Sequence, residues 1–512
     1  MSVLEAVAEA GATRARGWAA PVLAAVSGAL PLLVFPAPGW WWFGYVCLVP
    51  LMLVLRTASS ARRALLLGWL GGIGFLVGVM SWLIPTLSVA ILVLAALLGL
   101  LWAPWGWLVW RLLHGTPDGG RAAAALVLVP SGWLLIETVR SWQYLGGPWG
   151  LLGASQYAQH FALRLASVGG VWADSLLLVA VNTALVVLVA AWGRCAVAWG
   201  ALLAMAACVG SVLLWAPGPR ATGRGVSVGV VQPGVIATPE ARAAREELLT
   251  RQLLAAHPDI VLWGESSLSY DLTARRRLAG QLAALSRQAG ADLMVGVDAE
   301  RPGSSGGIYK SSVVVGPDGP TGQVYDKIRL VPFGEYIPLR PALGWIADLS
   351  KAAGVDRRRG TAQVVMTLPT RDAGPLRVGP LICFESAFPD MSRALAERGA
   401  QLLLVQSATS SYQDTWAPAQ HASLAALRAA ETGRPVVQAT LTGVSTAYDA
   451  TGRRIGAPLG TDRSDTAVYT VPLASGRTLY DRWGNWLPAA SVALVLLWGL
   501  GWAGVNLRNR RH

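Results

Sequence analysis

The 512-residue sequence predicts an α-helical membrane domain of about eight spans that is joined to a layered α/β domain. Hydrophobic residues make up 54% of the chain and charged residues only 14%, whereas an ordinary soluble domain is about 25% charged. The charges are also unevenly spread, since only 15 lie within 1–216 and three within 487–512. Apolar runs of spanning length fill these two regions, and a strand-and-helix pattern fills the region between them.

These observations divide the chain into three parts. We predict a membrane domain with about seven spans at 1–217, a globular domain at 218–484, and a final span with a basic tail at 485–512. The apolar runs lie near 18–36, 40–55, 64–84, 88–112, 122–139, 161–191, 195–216 and 487–507. Of the 24 tryptophans, 17 lie within 1–216, as expected for rings that anchor helices at the lipid headgroups.

Arginine placement predicts the orientation in the membrane. If the N-terminus is cytoplasmic, the short outer loops carry only Arg140 and Arg164. The inner segments then carry eleven arginines: Arg14, Arg16, Arg56, Arg62, Arg63, Arg111, Arg121, Arg194, Arg508, Arg510 and Arg511. The positive-inside rule therefore places both termini in the cytoplasm and the globular domain on the extracytoplasmic face. Because much of the net charge of +13 flanks apolar spans, we predict no nucleic-acid partner.

The globular region has the rhythm of an α/β domain. Strands are predicted near 225–233, 259–265, 292–298, 308–316, 362–369, 376–383, 401–406, 434–441, 444–450 and 466–472. Helices are predicted near 239–256, 272–289, 389–398 and 415–432. Thr238 and Pro239 are an N-cap and an N1 proline for the first of these helices, and Asp318–Gly319 is typical of a hairpin turn.

The segment 140–160 is rich in aromatic residues and glycine. Two interpretations stay open: an ordinary outer loop, or a stretch that lies in the membrane interface or lines an opening between helices.

Three polar residues stand at or near the ends of predicted apolar strands. Glu265 follows one strand, Cys383 follows another, and Lys327 precedes the stretch 331–335. Strand ends are where α/β domains build their sites. A thiol needs a basic or cationic neighbour to become a nucleophile. From the residues alone, Cys383 is either that nucleophile or a buried small hydrophobe. Five scattered histidines and the absence of paired cysteines argue against a metal site.

The motifs LWGESS (262–267), YDKIRLVPFGEYIP (325–338) and ICFES (382–386) resemble those of the carbon–nitrogen hydrolase, or nitrilase, superfamily. Within it, the chain is most similar to the membrane-bound apolipoprotein N-acyltransferase family. The membrane part contributes FPAPGWWWFGYVCLVPLMLVL (35–55), GWLGGIGFLVGVMSWL (68–83) and GPWGLLGASQ (147–156). The resemblance implies a nitrilase-like αββα sandwich for the globular domain.

The resemblance also implies the chemistry of each site residue. Cys383 would be the nucleophile, Glu265 the general base and later the acid, and Lys327 the oxyanion stabiliser, helped by a backbone N–H just after the cysteine. Glu335 and Glu385 match two further acidic positions, which would orient Lys327 or the thiol. No cofactor and no metal would be required.

Two departures from the family pattern concern the substrate side of the site. Phe384 follows the cysteine where the family commonly has tyrosine. The stretch Gln406–Ser410 replaces a frequent Asn-Asp pair followed by aromatic residues.

The function implied is transfer of an acyl chain from a membrane phospholipid, through a cysteine thioester, to the N-terminal amine of diacylglyceryl-modified apolipoproteins at the bacterial cytoplasmic membrane. A membrane-tethered amidase or nitrilase that hydrolyses small amides is the first alternative, because water can cleave the same thioester. A non-catalytic membrane scaffold is the second.

Overall fold

The computed structural model describes residues 18–190, 195–300, 307–344 and 356–509. The predicted inner arginines Arg14, Arg16, Arg194, Arg510 and Arg511 lie outside the described residues.

The N-terminal part is built of apolar helices. Five helices in the described chain are long and apolar enough to cross a bilayer: Ala61–Val79, Gly119–Arg140, Val171–Ala190, Ala196–Trp215 and Trp486–Ala503. A sixth span forms if the pair Ala90–Gly99 and Trp102–Leu113, bent by 46°, is counted as one. Shorter apolar helices cover Trp18–Val34 and Trp41–Arg56, the latter comprising a 3-10 turn, Trp41–Tyr45, and an α-helix, Val49–Arg56.

Besides the bent pair within the predicted run 88–112, a second predicted span is broken in the structure. The predicted run 161–191 forms two helices, His160–Gly169 and Val171–Ala190, which meet at Gly170 with a φ of +68°. Mean hydropathy does not detect such a break, because glycine in this conformation interrupts a helix without adding polarity. The predicted count of eight spans therefore stays a prediction.

Small residues let the membrane helices approach closely. A Cβ added to Gly74 would lie 1.9 Å from the carbonyl oxygen of Ala25, so only glycine fits this contact. Beside it, Phe75 packs against the rings of Trp102 and Trp133, with centroids 5.1 and 5.4 Å away.

The globular part contains two six-stranded sheets. The first has the order β12-β1-β2-β3-β4-β5 and the second the order β11-β10-β9-β8-β7-β6. The strands are β1 Arg220–Gln232, β2 Ile260–Trp263, β3 Asp292–Glu300, β4 Ile308–Gly316, β5 Gly319–Asp326, β6 Met366–Leu368, β7 Leu376–Ile382, β8 Leu402–Ser407, β9 Val436–Thr440, β10 Ser445–Tyr448, β11 Arg454–Leu459 and β12 Asp465–Ser475. Strands β1–β3 are parallel to one another, as are β7–β9, and the outer strands are antiparallel.

The two sheets pack face to face and helices cover their outer faces. One apolar core joins Val228 and Leu262 of the first sheet to Val378 and Leu404 of the second. Helices Pro239–Gln252 and Arg276–Ala289 cover the first sheet, and helices Pro389–Glu397 and Ala417–Thr432 cover the second. The predicted two-sheet fold is confirmed. Short helices cover Ile84–Leu87, Arg340–Leu343 and Leu479–Trp483, and the last helix is Trp486–Asn509.

Local signals in the sequence predicted several boundaries well. The Thr238 side chain accepts from the N–H of Ala241 and caps the helix that Pro239 begins, as predicted. Gly319 closes the β4–β5 hairpin opposite Gly316, as predicted. Strands β5 and β11 were not among the predicted strands, because glycine and proline interrupt both and neither has a regular apolar alternation.

Helix Ala417–Thr432 connects the two halves of the molecule. All of its residues except the half-buried Ala419 are buried, because it lies between the second sheet and the membrane helices. Near the end of this helix, the Glu431 carboxylate accepts a hydrogen bond of 2.9 Å from the N–H of Val171. Val171 is the first residue of a membrane helix. Anionic groups are favoured at helix N-termini, so this contact fixes the two halves together.

Candidate active site

The three predicted catalytic residues follow three strand ends. Glu265 lies just after β2 and Lys327 just after β5, at the same edge of the first sheet. Cys383 lies just after β7 in the facing sheet. The structure brings these three side chains together at one end of the sandwich.

Close packing around Glu265 depends on glycine. A Cβ added to Gly296 of β3 would lie 2.2 Å from the carbonyl oxygen of Gly264 and 2.9 Å from Cα of Glu265. The bare backbone at Gly296 therefore leaves room for the end of β2 to turn towards the second sheet.

Cys383 occupies a strained turn between a strand and a helical segment. Its φ is +51°, a conformation that residues with a side chain rarely adopt. A 3-10 turn, Cys383–Ala387, follows. The Cys383 carbonyl oxygen accepts from the Ser386 hydroxyl at 2.9 Å and lies 3.0 Å from Nε2 of His421. These contacts hold the turn, and with it the thiol, in place.

Lys327 is the centre of the charged group. Its Nζ donates to Oε1 of Glu265 at 2.9 Å and to Oε1 of Glu335 at 2.8 Å. The Lys327 side chain is 0% exposed and the two carboxylates are nearly buried. The charges of Glu265 and Lys327 both act on the Cys383 thiol. Glu335 thus lies in direct contact with Lys327.

The electrostatics favour ionised Glu265 and Lys327 beside a neutral thiol. Burial alone would raise the pKa of Glu265, but the charges of Lys310 and Lys327 lower it overall. Burial would lower the pKa of Lys327, but Glu265 and Glu335 raise it well above its usual value. Burial, and then the Glu265 charge, raise the pKa of Cys383 to about 12. The proton must therefore leave the thiol as sulfur attacks a substrate, since a free thiolate is disfavoured at rest.

Glu385 binds three backbone N–H groups and one side chain. Its Oε1 accepts from the N–H groups of Ile328 and Arg329 and from the Tyr325 hydroxyl at 2.7–3.1 Å, and Oε2 accepts from the N–H of Ile382. The carboxylate thereby ties the loop after Lys327 to the turn that carries Cys383. Glu385 therefore positions Lys327 and Cys383 by holding the main chain next to each of them.

The two departures from the family pattern both border the site. Phe384 packs edge-to-face on Phe388, with centroids 4.9 Å apart. In the stretch Gln406–Ser410, the Gln406 amide donates to the carbonyl oxygen of Trp263 at 2.9 Å and so bridges the two sheets. The Ala408 carbonyl oxygen lies 3.8 Å from the Cys383 sulfur.

A cavity of about 560 Å³ leads from the charged group into the membrane helices. Cys383, Glu265 and Glu335 lie at its polar end. Its other walls are mainly apolar side chains from the membrane part, including Leu76, Met80, Leu83, Leu87, Ile91, Leu94 and Leu98. Of the segment 140–160, Tyr144, Leu145, Gly146 and Trp149 line the cavity. The second interpretation of that segment therefore agrees with the structure.

Comparison with known proteins covers both halves of the chain. Residues 27–184 match the model of the apolipoprotein N-acyltransferase N-terminal domain, and residues 228–480 match the carbon–nitrogen hydrolase model. An apolipoprotein N-acyltransferase of Azotobacter vinelandii is 31% identical over 97% of this chain and 96% of its own. One of Methylococcus capsulatus is 32% identical over 91% of this chain and 93% of its own.

The chain belongs to the apolipoprotein N-acyltransferase family. Among solved structures, an amidase of the nitrilase superfamily from Nesterenkonia is 19% identical, with a TM-score of 0.35 over 54% of this chain and 98% of its own.

Two residues of this family member's site escaped the sequence analysis. Lys310 of β4 lies 3.3 Å from Oε1 of Glu265, and His421 supports the Cys383 turn. The signal for Lys310 was that it is one of only three lysines in the chain and lies within a predicted strand. His421 gave no signal of this kind, because a single histidine on an apolar helix is most often a core residue.

Glu385 offers a test of the backbone network. In Glu385→Gln, one acceptor oxygen is replaced by an NH₂ group that faces N–H donors. We expect a loss of about 1.5–3 kcal/mol in the free energy of unfolding, because each hydrogen bond to a charged group is worth that much. Tyr325→Phe removes a single donor and should cost less than Glu385→Gln, because the backbone N–H bonds to the carboxylate remain. Thermal unfolding in detergent measures both, and an equal or smaller effect of Glu385→Gln would contradict the network.

Proposed function

We propose that this chain transfers a fatty acyl chain from a membrane phospholipid to the α-amine of an S-diacylglyceryl-cysteine at the N-terminus of an apolipoprotein. The acyl chain is carried on Cys383 as a thioester. The observation that carries this proposal is the cavity, which joins the Cys383 thiol to an apolar channel between membrane helices. Family membership supports the same reaction.

The cavity suits a long apolar substrate. Leu76, Leu83 and Leu98 offer hydrocarbon surface to a chain whose carbonyl carbon lies at Cys383. A small polar amide gains nothing from such walls, since burial of apolar surface is the favourable term they provide. The fit therefore favours acyl transfer over the hydrolysis of small amides.

In the first half-reaction, the Cys383 sulfur attacks the ester carbonyl of the phospholipid. The thiol proton passes to Glu265 as the C–S bond forms. Lys327 and a backbone N–H after the cysteine stabilise the oxyanion. The C–O bond then breaks, and Glu265 returns its proton to the glycerol oxygen. A lysophospholipid leaves and the thioester remains.

In the second half-reaction, the free amine of the diacylglyceryl-cysteine attacks the thioester carbonyl. Glu265 accepts a proton from the amine while Lys327 again stabilises the oxyanion. The C–N bond forms, the C–S bond breaks, and the proton on Glu265 goes to the leaving sulfur. Glu335 keeps Lys327 in place in both half-reactions. Glu385 holds the loop after Lys327 against the turn that carries Cys383.

The proposed location is the bacterial cytoplasmic membrane, with the catalytic domain on the extracytoplasmic face and both termini in the cytoplasm. The arginine distribution supports this orientation. Arg140, one of only two arginines in the predicted outer loops, is buried and donates to the carbonyl oxygens of Trp149 and Gly150. Because Arg140 is held by these buried contacts, it is not counted as an exposed loop charge. The excess of arginines in the inner segments over the outer loops then becomes larger.

The nucleophile is tested by a transfer assay with the full chain in phosphatidylethanolamine vesicles and a diacylglyceryl lipopeptide. Cys383→Ala should release no lysophospholipid and form no N-acylated peptide. Cys383→Ser should be nearly inactive, because a hydroxyl is far harder to ionise than a thiol. Cys208→Ala is the matched control and should keep full activity, since Cys208 is exposed on another helix. Normal turnover in Cys383→Ala would refute the mechanism, and ammonia release from small amides without acyl transfer would favour the amidase.

The orientation is tested by labelling single cysteines in spheroplasts, in a chain whose four native cysteines are replaced. Asp318→Cys, at the exposed β4–β5 hairpin, should react with a membrane-impermeant maleimide. Ser59→Cys, at an exposed position of a predicted inner loop, should react only after lysis. The opposite pattern would overturn the predicted topology.

A further inference from the structure

Lys310 is a second lysine in the catalytic group. It lies on β4, directly opposite Asp298 of β3, and its side chain is 11% exposed. Its Nζ donates to Oγ of Ser266 at 2.7 Å and to Oδ2 of Asp298 at 2.9 Å. The same nitrogen lies 3.3 Å from Oε1 of Glu265 and 3.8 Å from Oε1 of Glu335.

Lys310 offsets part of the negative charge of this group. Three carboxylates, Glu265, Asp298 and Glu335, face two ammonium groups, Lys310 and Lys327. Without Lys310, the buried Glu265 and Glu335 and the half-buried Asp298 would share one cation, and a buried carboxylate without a partner tends to take up a proton.

The other titratable groups around Glu265 do not replace the missing charge. The Cys383 thiol of the second sheet is neutral at rest, as argued above. On helix Ala417–Thr432, burial lowers the pKa of His421, so its imidazole is neutral too. Tyr412 is likewise uncharged, because burial raises the pKa of its hydroxyl.

We propose that Lys310 is a positioning residue that keeps Glu265 ionised and directed at the Cys383 thiol, so that Glu265 can accept the proton in the acylation step. This inference rests on the proposed function, in which Glu265 is the base.

Two further observations support the proposal. Burial raises the pKa of Glu265, and the charges of Lys310 and Lys327 lower it. Of these two charges, that of Lys310 has the larger effect. Ser266, the residue after Glu265, has a φ of +59°, and its hydroxyl bonds both Lys310 and Asp298. The lysine thus also holds the strained backbone next to the base.

The pH dependence of acylation tests this role. The full chain is kept in detergent, and acylation of Cys383 is measured by peptide mass spectrometry from pH 5 to 8. Two acyl donors are used in separate experiments: phosphatidylethanolamine vesicles and a 4-nitrophenyl ester. Because Glu265 stays ionised in the wild type, the wild-type acylation rate should change less than about threefold over this pH range. In Lys310→Met and Lys310→Gln the pKa of Glu265 rises, and the rate should fall at least about tenfold between pH 8 and pH 5.

Matched variants separate charge from packing. Lys310→Gln keeps a donor for Ser266 and Asp298, and provides the test if Lys310→Met does not fold. Lys310→Arg keeps the charge and should keep the wild-type pH profile. Arg276→Met removes one charge from an exposed position outside the group and should change nothing.

Each outcome has a distinct meaning. If Lys310→Met and Lys310→Gln lower the rate equally at every pH, Lys310 is merely structural and the proposal is overturned. If the wild type is acylated by the nitrophenyl ester but never by phospholipid, the proposed function fails while the role of Lys310 is still measured. If neither donor acylates Cys383, both are refuted.

Discussion

The site depends on a lysine buried between two glutamates. Removing Lys327, Glu265 and Glu335 from water costs several kcal/mol per ion, and only short, well-oriented contacts can offset that cost. The contacts of 2.8 and 2.9 Å meet this requirement. They also require that the ends of β2 and β5 and the loop at Glu335 keep their relative positions. Much of the surrounding structure, from Gly296 to the Glu385 network, serves to keep these segments in place.

The membrane helices and the catalytic turn are connected by buried polar contacts. Glu431 accepts the N–H of Val171 at the start of a membrane helix and pairs with Arg428 at 2.8 Å. Arg428 in turn donates to the carbonyl oxygen of Ala387, at the end of the turn that Cys383 begins. Because a broken buried pair is costly, these contacts resist separation of the two halves. They keep the apolar end of the cavity aligned with the thiol.

Trp149 provides a second connection. Its indole N–H donates to the Gln420 side chain at 2.9 Å, and its ring lies parallel to that of His421, with centroids 5.8 Å apart. His421 contacts the carbonyl oxygen of Cys383. One wall of the cavity, from the membrane part, therefore packs directly against the support of the nucleophile.

The sequence predicted the positions of the site residues better than their environment. Glu265 and Cys383 stood out because each follows an apolar strand, and Lys327 and Glu335 were assigned from the family-like motif at 325–338. Lys310 could not be assigned, since its contact with Glu265 depends on the pairing of β3 and β4. The break at Gly170 was missed because hydropathy averages over a whole span. The burial of Arg140 was missed because charge counting takes arginines at helix ends as exposed.

The central claim is that Cys383 carries the acyl chain. The most direct test is peptide mass spectrometry of the purified chain after incubation with phosphatidylethanolamine vesicles in the absence of any acceptor. The account predicts a fatty-acyl mass on the peptide that contains Cys383, removed by neutral hydroxylamine as a thioester is. A fatty-acyl mass on a different residue, or acyl transfer with Cys383 never modified, would contradict it.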